Sequence, residues 1–450
     1  MRVAGPFSRV SESDEADVPI ETQENLTVLD RKFIRARSDD VRRAIRDKGE
    51  NVDLDGFLQL DEKRRRLLSE LDELKHRKNV LSEEIGKLKR EGRDAPRQLE
   101  EVRRLSLKTE EMESDLRKAD VQLDSIQATI PNVPHPSVPV GHDPSANVEV
   151  RRFGEIPKLD FKPLPHWQIG ESLGIFDFER APKISGSGFI LLKGVGAKLE
   201  RALIRLMLNV HTNSHGFTEV WPPILVRREC LFGTGQLPKL EEDMYLCEKD
   251  GLFLNPTAEV PITNIYRDEV LEEDALPIKL VGYCPSFRRE AGSYGKETRG
   301  IVRVHQFDKV EMVKFVTPES SYDELESLVC CGEKILQVLG IPYRVTLLCS
   351  GDLSFAASKC YDLEAWAPAE ERWLEVSSCS NFESFQARRM GIRYRTKQGK
   401  KLEYVHTLNG SGLALPRTLI AILENFQTAR GTVRIPDALV PYMDGLGEIS

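Results

Sequence analysis

The sequence predicts an α+β protein, with a helical hairpin in its first third and a sheet-containing core in the remainder. Three observations predict this. Between Leu60 and Ile130, apolar residues recur at alternating spacings of three and four in two runs, the mark of paired amphipathic helices. A stretch with five prolines, PNVPHPSVPVGHDPSANVEV, follows and stops the helical pattern. Beyond it, segments that alternate apolar and polar residues flank a Gly-containing loop from Ala291 to Gly300, which reads as an antiparallel β-hairpin.

Size and composition bound the function. A chain of 450 residues with 40% apolar content holds a sizeable core and more than one domain. The net charge of −8 excludes a surface that binds polyanions everywhere, so any nucleic-acid contact is local. The eight cysteines show neither CxxC pairs nor zinc spacing and read as buried thiols of a reducing compartment, the cytoplasm. No apolar run reaches membrane-spanning length. Residues 1–27 are polar and acidic, unlike a secretory signal or an Arg-rich transit peptide, and are expected to form a disordered extension.

The arm begins with LDRKFIRARSDDVRRAIRDKGE, a helical stretch with Asp39 or Asp40 available as N-cap. The first heptad run places Leu60, Arg64, Leu67, Leu71, Leu74, Lys78, Leu81, Ile85 and Leu88 on one seam. A polar break, REGRDAP, follows, and Pro96 suits the first turn of the next helix. Val102, Leu105, Thr109, Met112, Leu116, Ala119, Leu123, Ile126 and Ile130 make the second run. Helices of about 30 residues each give an arm about 45 Å long. Lys75, Arg77, Lys78, Arg93, Arg97, Arg103 and Arg104 are candidates to touch an RNA backbone. Both charge signs are mixed along the arm, so charge alone is equally consistent with an ordinary solvated coiled coil.

In the core, GAKLERALIRLMLNVHTNSHG reads as a helix with Leu199, Leu203, Met207 and Val210 on one face, leading into the strand FTEVWPP. Thr257 and Glu259, read as a strand, share a face that suits an amino group. The 287–315 hairpin presents Arg288, Glu290, Arg303 and Glu311, guanidiniums for phosphate or carboxylate and carboxylates for an amine. Glu375 and Ser378, in WLEVSSCSNF, are oxygen ligands that suit a Mg²⁺ on ATP phosphates. In HTLNGSGLALPRTLIAILENFQ, small residues from Asn409 to Ala414 let backbones approach closely. Pro416 opens a helix there, and Arg417 in its first turn can reach a terminal phosphate. The glycines fit neither GxGxxG nor a Walker loop, which excludes Rossmann and P-loop readings.

Taken together, FRRE with RVHQFDKVE resembles motif 2 of class II aminoacyl-tRNA synthetases. The long helix before FTEVWPP resembles motif 1, and HTLNGSGLALPR resembles motif 3. With the TAE loop, FQARR and the hairpin arm in this order, the chain is similar to the bacterial type of the seryl-tRNA synthetase family from about Leu29 to its C-terminal end. Leu415-Pro416 stands before the motif 3 arginine where Val-Gly is also common in the family, and no functional group is lost by that departure. The resemblance implies a tRNA-binding arm over 28–135 and a class II catalytic domain over 136–450, with an antiparallel β-sheet flanked by helices. It implies that Arg288 bridges the amino-acid carboxylate and the α-phosphate. Arg289, Glu290, Val304 and Phe307 then hold ATP, with Val376, Ser377 and Arg417, while Glu375 and Ser378 hold Mg²⁺. Thr257, Ala258, Glu259, Glu311 and Ser411 surround L-serine. It further implies a homodimer that charges tRNA(Ser). That no zinc is needed is expected from the cysteine spacing and the oxygen ligands Glu375 and Ser378, and that no membrane is contacted from the lack of a long apolar run. Charging of tRNA(Sec) is left open.

Overall fold

The computed structural model describes residues 29–291, 300–399 and 401–450. The expected N-terminal extension and most of the loop from Ala291 to Gly300 lie outside the described residues. Among the described residues no helix is long and apolar enough to cross a membrane.

Two short helices, α1 (Arg31–Ala36) and α2 (Ser38–Asp47), open the arm. Asp30, rather than Asp39 or Asp40, caps this stretch: its Oδ1 accepts from the Phe33 amide at 2.6 Å. Asp39 and Asp40 instead occupy the first turn of α2, where carboxylates oppose the positive helix end.

Helices α3 (Leu54–Arg90) and α4 (Pro96–Gln127) form the hairpin. The 37 residues of α3 make the arm about 55 Å long, longer than the heptads alone suggest, because α3 begins before the first seam leucine. Leu71 and Ile85 from α3 are buried, as are Leu105, Met112, Ala119 and Leu123 from α4. The polar seam residue Thr109 donates to Leu105 O at 2.8 Å and so is satisfied within its own helix. Arg64, a charged interruption of the seam, donates to Asp120 Oδ1 at 2.6 Å, an atom that also accepts from Arg31 at 2.6 Å. These contacts fix the register near the base of the arm, where an apolar seam alone would allow slippage.

The base of the arm is built into the core. Ile34, Phe57, Leu123 and Ile130 pack with Leu348, Leu353, Ala357 and Phe382. Lys48, buried, donates from Nζ to the carbonyls of Ser354 (2.9 Å), Phe355 (3.2 Å) and Ala357 (2.7 Å). The Asn132 side-chain amide donates to Ala356 O and Phe382 O, both at 2.9 Å.

In the core, β1 (Val148–Phe153), α5 (His166–Ser172), α6 (Ala181–Ser185) and α7 (Val195–His215) come first. Next are β2 (Thr218–Glu219), β3 (Leu225–Arg227), α8 (Arg228–Thr234), β4 (Tyr245–Cys247), β5 (Leu252–Leu254), α9 (Glu259–Thr263) and β6 (Val270–Glu272). The hairpin strands β7 (Ile278–Phe287) and β8 (Gln306–Val316) precede α10 (Ser321–Leu339). Then follow β9 (Tyr343–Leu347), β10 (Lys359–Ala367), β11 (Arg372–Asn381), α11 (Phe385–Met390), β12 (Arg393–Arg395), β13 (Leu402–Tyr404), β14 (His406–Ala414) and α12 (Leu415–Asn425).

Eight strands form one sheet in the order β1-β9-β10-β11-β14-β8-β7-β2. It is antiparallel except at its edge, where β2 runs parallel to β7. Helices α7, α10 and α12 bury their apolar faces against it, with Leu199, Leu203 and Met207 contributed by α7 as the spacing predicts. The strand expected after α7 is only two residues long, because Pro222 and Pro223 cannot extend the ladder. Five of the eight free cysteines are buried, Cys230 and Cys247 are half-buried, and Cys330 is exposed, contrary to the expectation of uniformly buried thiols.

Candidate active site

A cavity of about 630 Å³ lies against the β7–β8 hairpin, β11, the end of β14 and the start of α12. Three sets of functional groups meet in it.

The first comes from the hairpin. Arg288 directly follows β7, and its guanidinium lies 5.3 Å over the Phe307 ring while Nε donates to Pro256 O at 3.2 Å. Glu290 adopts φ +51°, a conformation that costs a non-glycine residue energy, and accepts from Arg303 Nη1 at 3.2 Å. The alternation from Ile301 to Phe307 does not make a strand. β8 begins only at Gln306, because the Ile301 amide bonds the His166 ring and the His305 amide bonds Gly188 O. Ile301, Val302 and Val304 are still buried, and Val304 lines the cavity. Arg289 turns away from the cavity: Nε donates to Met244 O at 3.0 Å and the guanidinium lies 4.6 Å over Tyr245.

The second set is acidic. Thr257, Ala258 and Glu259 are not a strand but the turn into α9, so an Asx-like turn rather than alternation brings Thr257 and Glu259 together. Thr257 Oγ1 accepts from the Glu259 amide at 3.2 Å and lies 3.1 Å from Glu311 Oε2, to which it donates. Ala258 packs into the core with Leu280 and Val313. Glu311 is fully buried on β8, opposite Ser411 of β14, and pairs with Lys309. Asn409 Nδ2 reaches Glu311 Oε1 at 3.4 Å. Gln386 Nε2 donates to Glu259 Oε1 at 2.7 Å. Burial, reinforced by the charge of Glu311, pushes the Glu259 carboxyl up to about 7. Lys309, Gln386 and Asn409 were not singled out from the sequence. Lys309 was readable, since it lies two residues before Glu311 on one strand face. Gln386 was not, because its contact spans 127 positions of chain.

The third set faces phosphate chemistry. Residues three apart in a regular strand point to opposite sides, yet Glu375 and Ser378 both line the cavity. A β-bulge explains this: Leu363 pairs with Ser377 and Glu364 with Glu375, leaving Val376 as an extra residue. Val376 and Ser377 are consequently both buried, and Ser377 Oγ donates to Ser411 O at 2.7 Å instead of facing the cavity. Arg417, in the first turn of α12, donates from Nη1 to Glu375 Oε2 at 3.0 Å. The Glu375 side chain keeps 46% of its surface exposed, so the desolvation that would raise its carboxyl is outweighed by Arg417, aided by Arg288 and Lys309, which hold the group below the usual carboxylate range. Asp362, opposite Ser378 on β10, is driven well above that range by burial and by the Glu375 charge. An ionised carboxylate beside a hydroxyl is a hard, oxygen-only donor set, which fits Mg²⁺.

The comparisons with known proteins agree with this geometry. Residues 28–134 match the model of the seryl-tRNA synthetase N-terminal domain, and residues 245–426 match the class II tRNA synthetase core domain (G, H, P, S and T). A serine–tRNA ligase of Caldanaerobacter subterraneus subsp. tengcongensis is 55% identical over 416 residues, 92% of this chain and 98% of the relative. One from Desulfosudis oleivorans is 53% identical over 94% of this chain and 100% of the relative. The crystal structure of seryl-tRNA synthetase from Pyrococcus horikoshii complexed with ATP superposes with a TM-score of 0.89 at 39% identity, covering 93% of this chain and 99% of that one. With its arm, its sheet and its three sets of site residues in this order, the chain belongs to the seryl-tRNA synthetase family of class II aminoacyl-tRNA synthetases.

Proposed function

We propose that the chain is a serine–tRNA ligase, which activates L-serine with ATP and transfers it to the 3′ end of tRNA(Ser). The observation that carries this reading is the meeting of three cations, Arg288, Lys309 and Arg417, with the buried carboxylate Glu259 around one cavity, Glu311 lying fully buried behind it and paired with Lys309. An amino acid brings an ammonium and a carboxylate, and ATP brings a polyphosphate; the site holds a counter-charge for each. A serine carboxylate oxygen attacks the α-phosphorus, the bond from that phosphorus to the bridging oxygen breaks, and pyrophosphate leaves. Both reactants are anions, so the chief need is to hold them in line and neutralise the developing charge. Arg288 does this between carboxylate and α-phosphate, and Arg417 holds the terminal phosphate. Glu290 faces the adenine amino group, Phe307 stacks on the ring, and Val304 lines the pocket. Glu375 and Ser378 would hold the Mg²⁺, which neutralises phosphate charge when bound. Thr257, Glu259, Glu311 and Ser411 enclose serine. Alanine would leave their polar groups unpaired and is rejected for that reason.

The arm, residues 28–135, binds the outer body of the tRNA through shape and phosphate contacts, and the core, residues 136–450, carries the chemistry. The active form is a homodimer paired through the α7 region, in which one subunit's arm presents tRNA to the other's core. Free thiols fit the reducing cytoplasm. Serine-dependent ATP–pyrophosphate exchange, followed by charging of tRNA(Ser) and tRNA(Sec) transcripts, tests this reading. Exchange driven by another amino acid, or none at all, would reject it.

A further inference from the structure

His166, Glu424 and Gly300 form a buried device outside the sets of groups described above. His166 is fully buried at the start of α5. Its Nε2 accepts from the Ile301 amide at 3.2 Å, and its Nδ1 lies 3.0 Å from Glu424 Oε1. A backbone amide can only donate, so Nε2 is the acceptor and Nδ1 carries the hydrogen given to Glu424. Glu424 is otherwise engaged: Oε1 also accepts from the His166 amide at 3.0 Å and Oε2 from the Ala369 amide at 2.9 Å. Glu370 comes within 3.9 Å of the ring and is paired with Arg372 at 2.7 Å. These three residues bring possible ligand atoms within 4.8 Å of one another, yet the nitrogen facing the carboxylates bears a hydrogen, so the cluster is a hydrogen-bond relay and not a metal centre. Gly300, at φ +79°, lies so close that a Cβ there would stand 2.1 Å from His166 Nε2.

Glu424 lies seven residues after Arg417 on α12, hence on the same face about 10 Å along the helix. One rigid helix thus grips Glu375 at its start and, through His166, the Ile301 amide further on. From Ile301 the chain runs straight into Val302 and Val304 on the cavity wall.

We propose that His166 is a positioning residue for ATP: by holding the Ile301 amide against Glu424, it sets the Val302–Val304 wall at a fixed distance from the Arg417 phosphate end. The proposal rests on the ATP reading of the cavity.

Two substitutions separate the two bonds of the ring. In His166→Asn the amide nitrogen can replace Nδ1 toward Glu424, but the Ile301 amide loses its acceptor. In His166→Gln the side-chain oxygen can reach the Nε2 position and keep that acceptor. In pyrophosphate exchange, His166→Asn should raise KM for ATP about tenfold, the scale of a buried amide left unbonded, with KM for serine within about twofold. His166→Gln should stay within about threefold of wild type for ATP. Gly300→Ala, which displaces the ring, should copy His166→Asn, and combining the two should add little. Thermal melts check that each variant is folded. Equal effects of Asn and Gln, parallel rises in both KM values, or a Gly300→Ala protein with normal KM for ATP would overturn the proposal. If both His166 variants fail to fold, Gly300→Ala decides alone. A wild-type protein without exchange would instead reject the underlying function.

Discussion

Arg417 donates to Glu375 twice, to its backbone oxygen at 2.8 Å and to its carboxylate at 3.0 Å. The cation assigned to the terminal phosphate and the carboxylate assigned to the metal are therefore one unit before any nucleotide arrives. Losing either partner should leave the other's charge uncompensated, so effects at the two positions should not add.

From this follows a metal prediction. Glu375→Gln should raise the Mg²⁺ concentration needed for half-maximal pyrophosphate exchange and lower the rate by roughly 10²-fold or more, the scale of one lost electrostatic stabiliser. Chelation should abolish exchange, and Mg²⁺ but not Zn²⁺ should restore it. An activity-linked stoichiometric zinc in the purified protein would refute this.

Arg288→Ala should abolish serine-dependent exchange, by roughly 10²–10³-fold at least, while the thermal midpoint stays near wild type. The side chain is only part-buried, and its packing partner is the Phe307 ring at the cavity. Near-normal exchange, or an unfolded variant, would remove Arg288 from its assigned role.

The Glu259 carboxyl sits at about 7, above its ordinary 4.5. Because the folded value is raised, the ionised form costs stability as pH climbs from 4.5 to 7, and a serine ammonium beside it offsets that cost. KM for serine should therefore fall as pH rises, about tenfold between pH 6 and pH 8, with KM for ATP far less affected. Glu259→Gln should raise KM for serine and flatten this profile. A flat profile in the wild type would show that Glu259 does not meet the ammonium.

Shortening the arm should separate the half-reactions. Asp61, Asp120 and Asp124 bond Arg35 and Arg31 at the base, and Leu123 is fully buried there, so the cut must lie outside them. Replacing residues 72–113 with a short Gly/Ser turn should leave pyrophosphate exchange intact and reduce tRNA charging severely, since the first half-reaction uses only the core. Equal loss of both activities would mean that the outer arm is structural.

The arm was legible because a coiled coil is a local pattern. Leu71, Ile85, Leu105 and Met112 sit where their spacing puts them. Arg288, Glu375 and Arg417 were legible through short motifs, and they do come together. Two readings failed where the chain's hydrogen bonds go to distant partners. Ile301 to His305 alternates like a strand, but its amides bond His166 and Gly188. Ser377 lies in the right motif and faces away, because register depends on a bulge that its own segment does not signal. Gln386 and Asn409 are site residues only by virtue of the fold, through bonds to Glu259 and Glu311 across long stretches of chain.

The extra residue at Val376 has a consequence for how this strand can vary. Removing it would make the β10–β11 ladder regular: Glu364 would still pair with Glu375 and Leu363 with Ser377, and Glu375 and Ser378, then two apart, would keep their common face. The bulge therefore does not choose the face of Glu375 or Ser378; it sets the local bend and twist between them. Val376 can be exchanged for another side chain of its size at little cost, and even a one-codon deletion there would leave both residues facing the cavity, with the strand straighter between them.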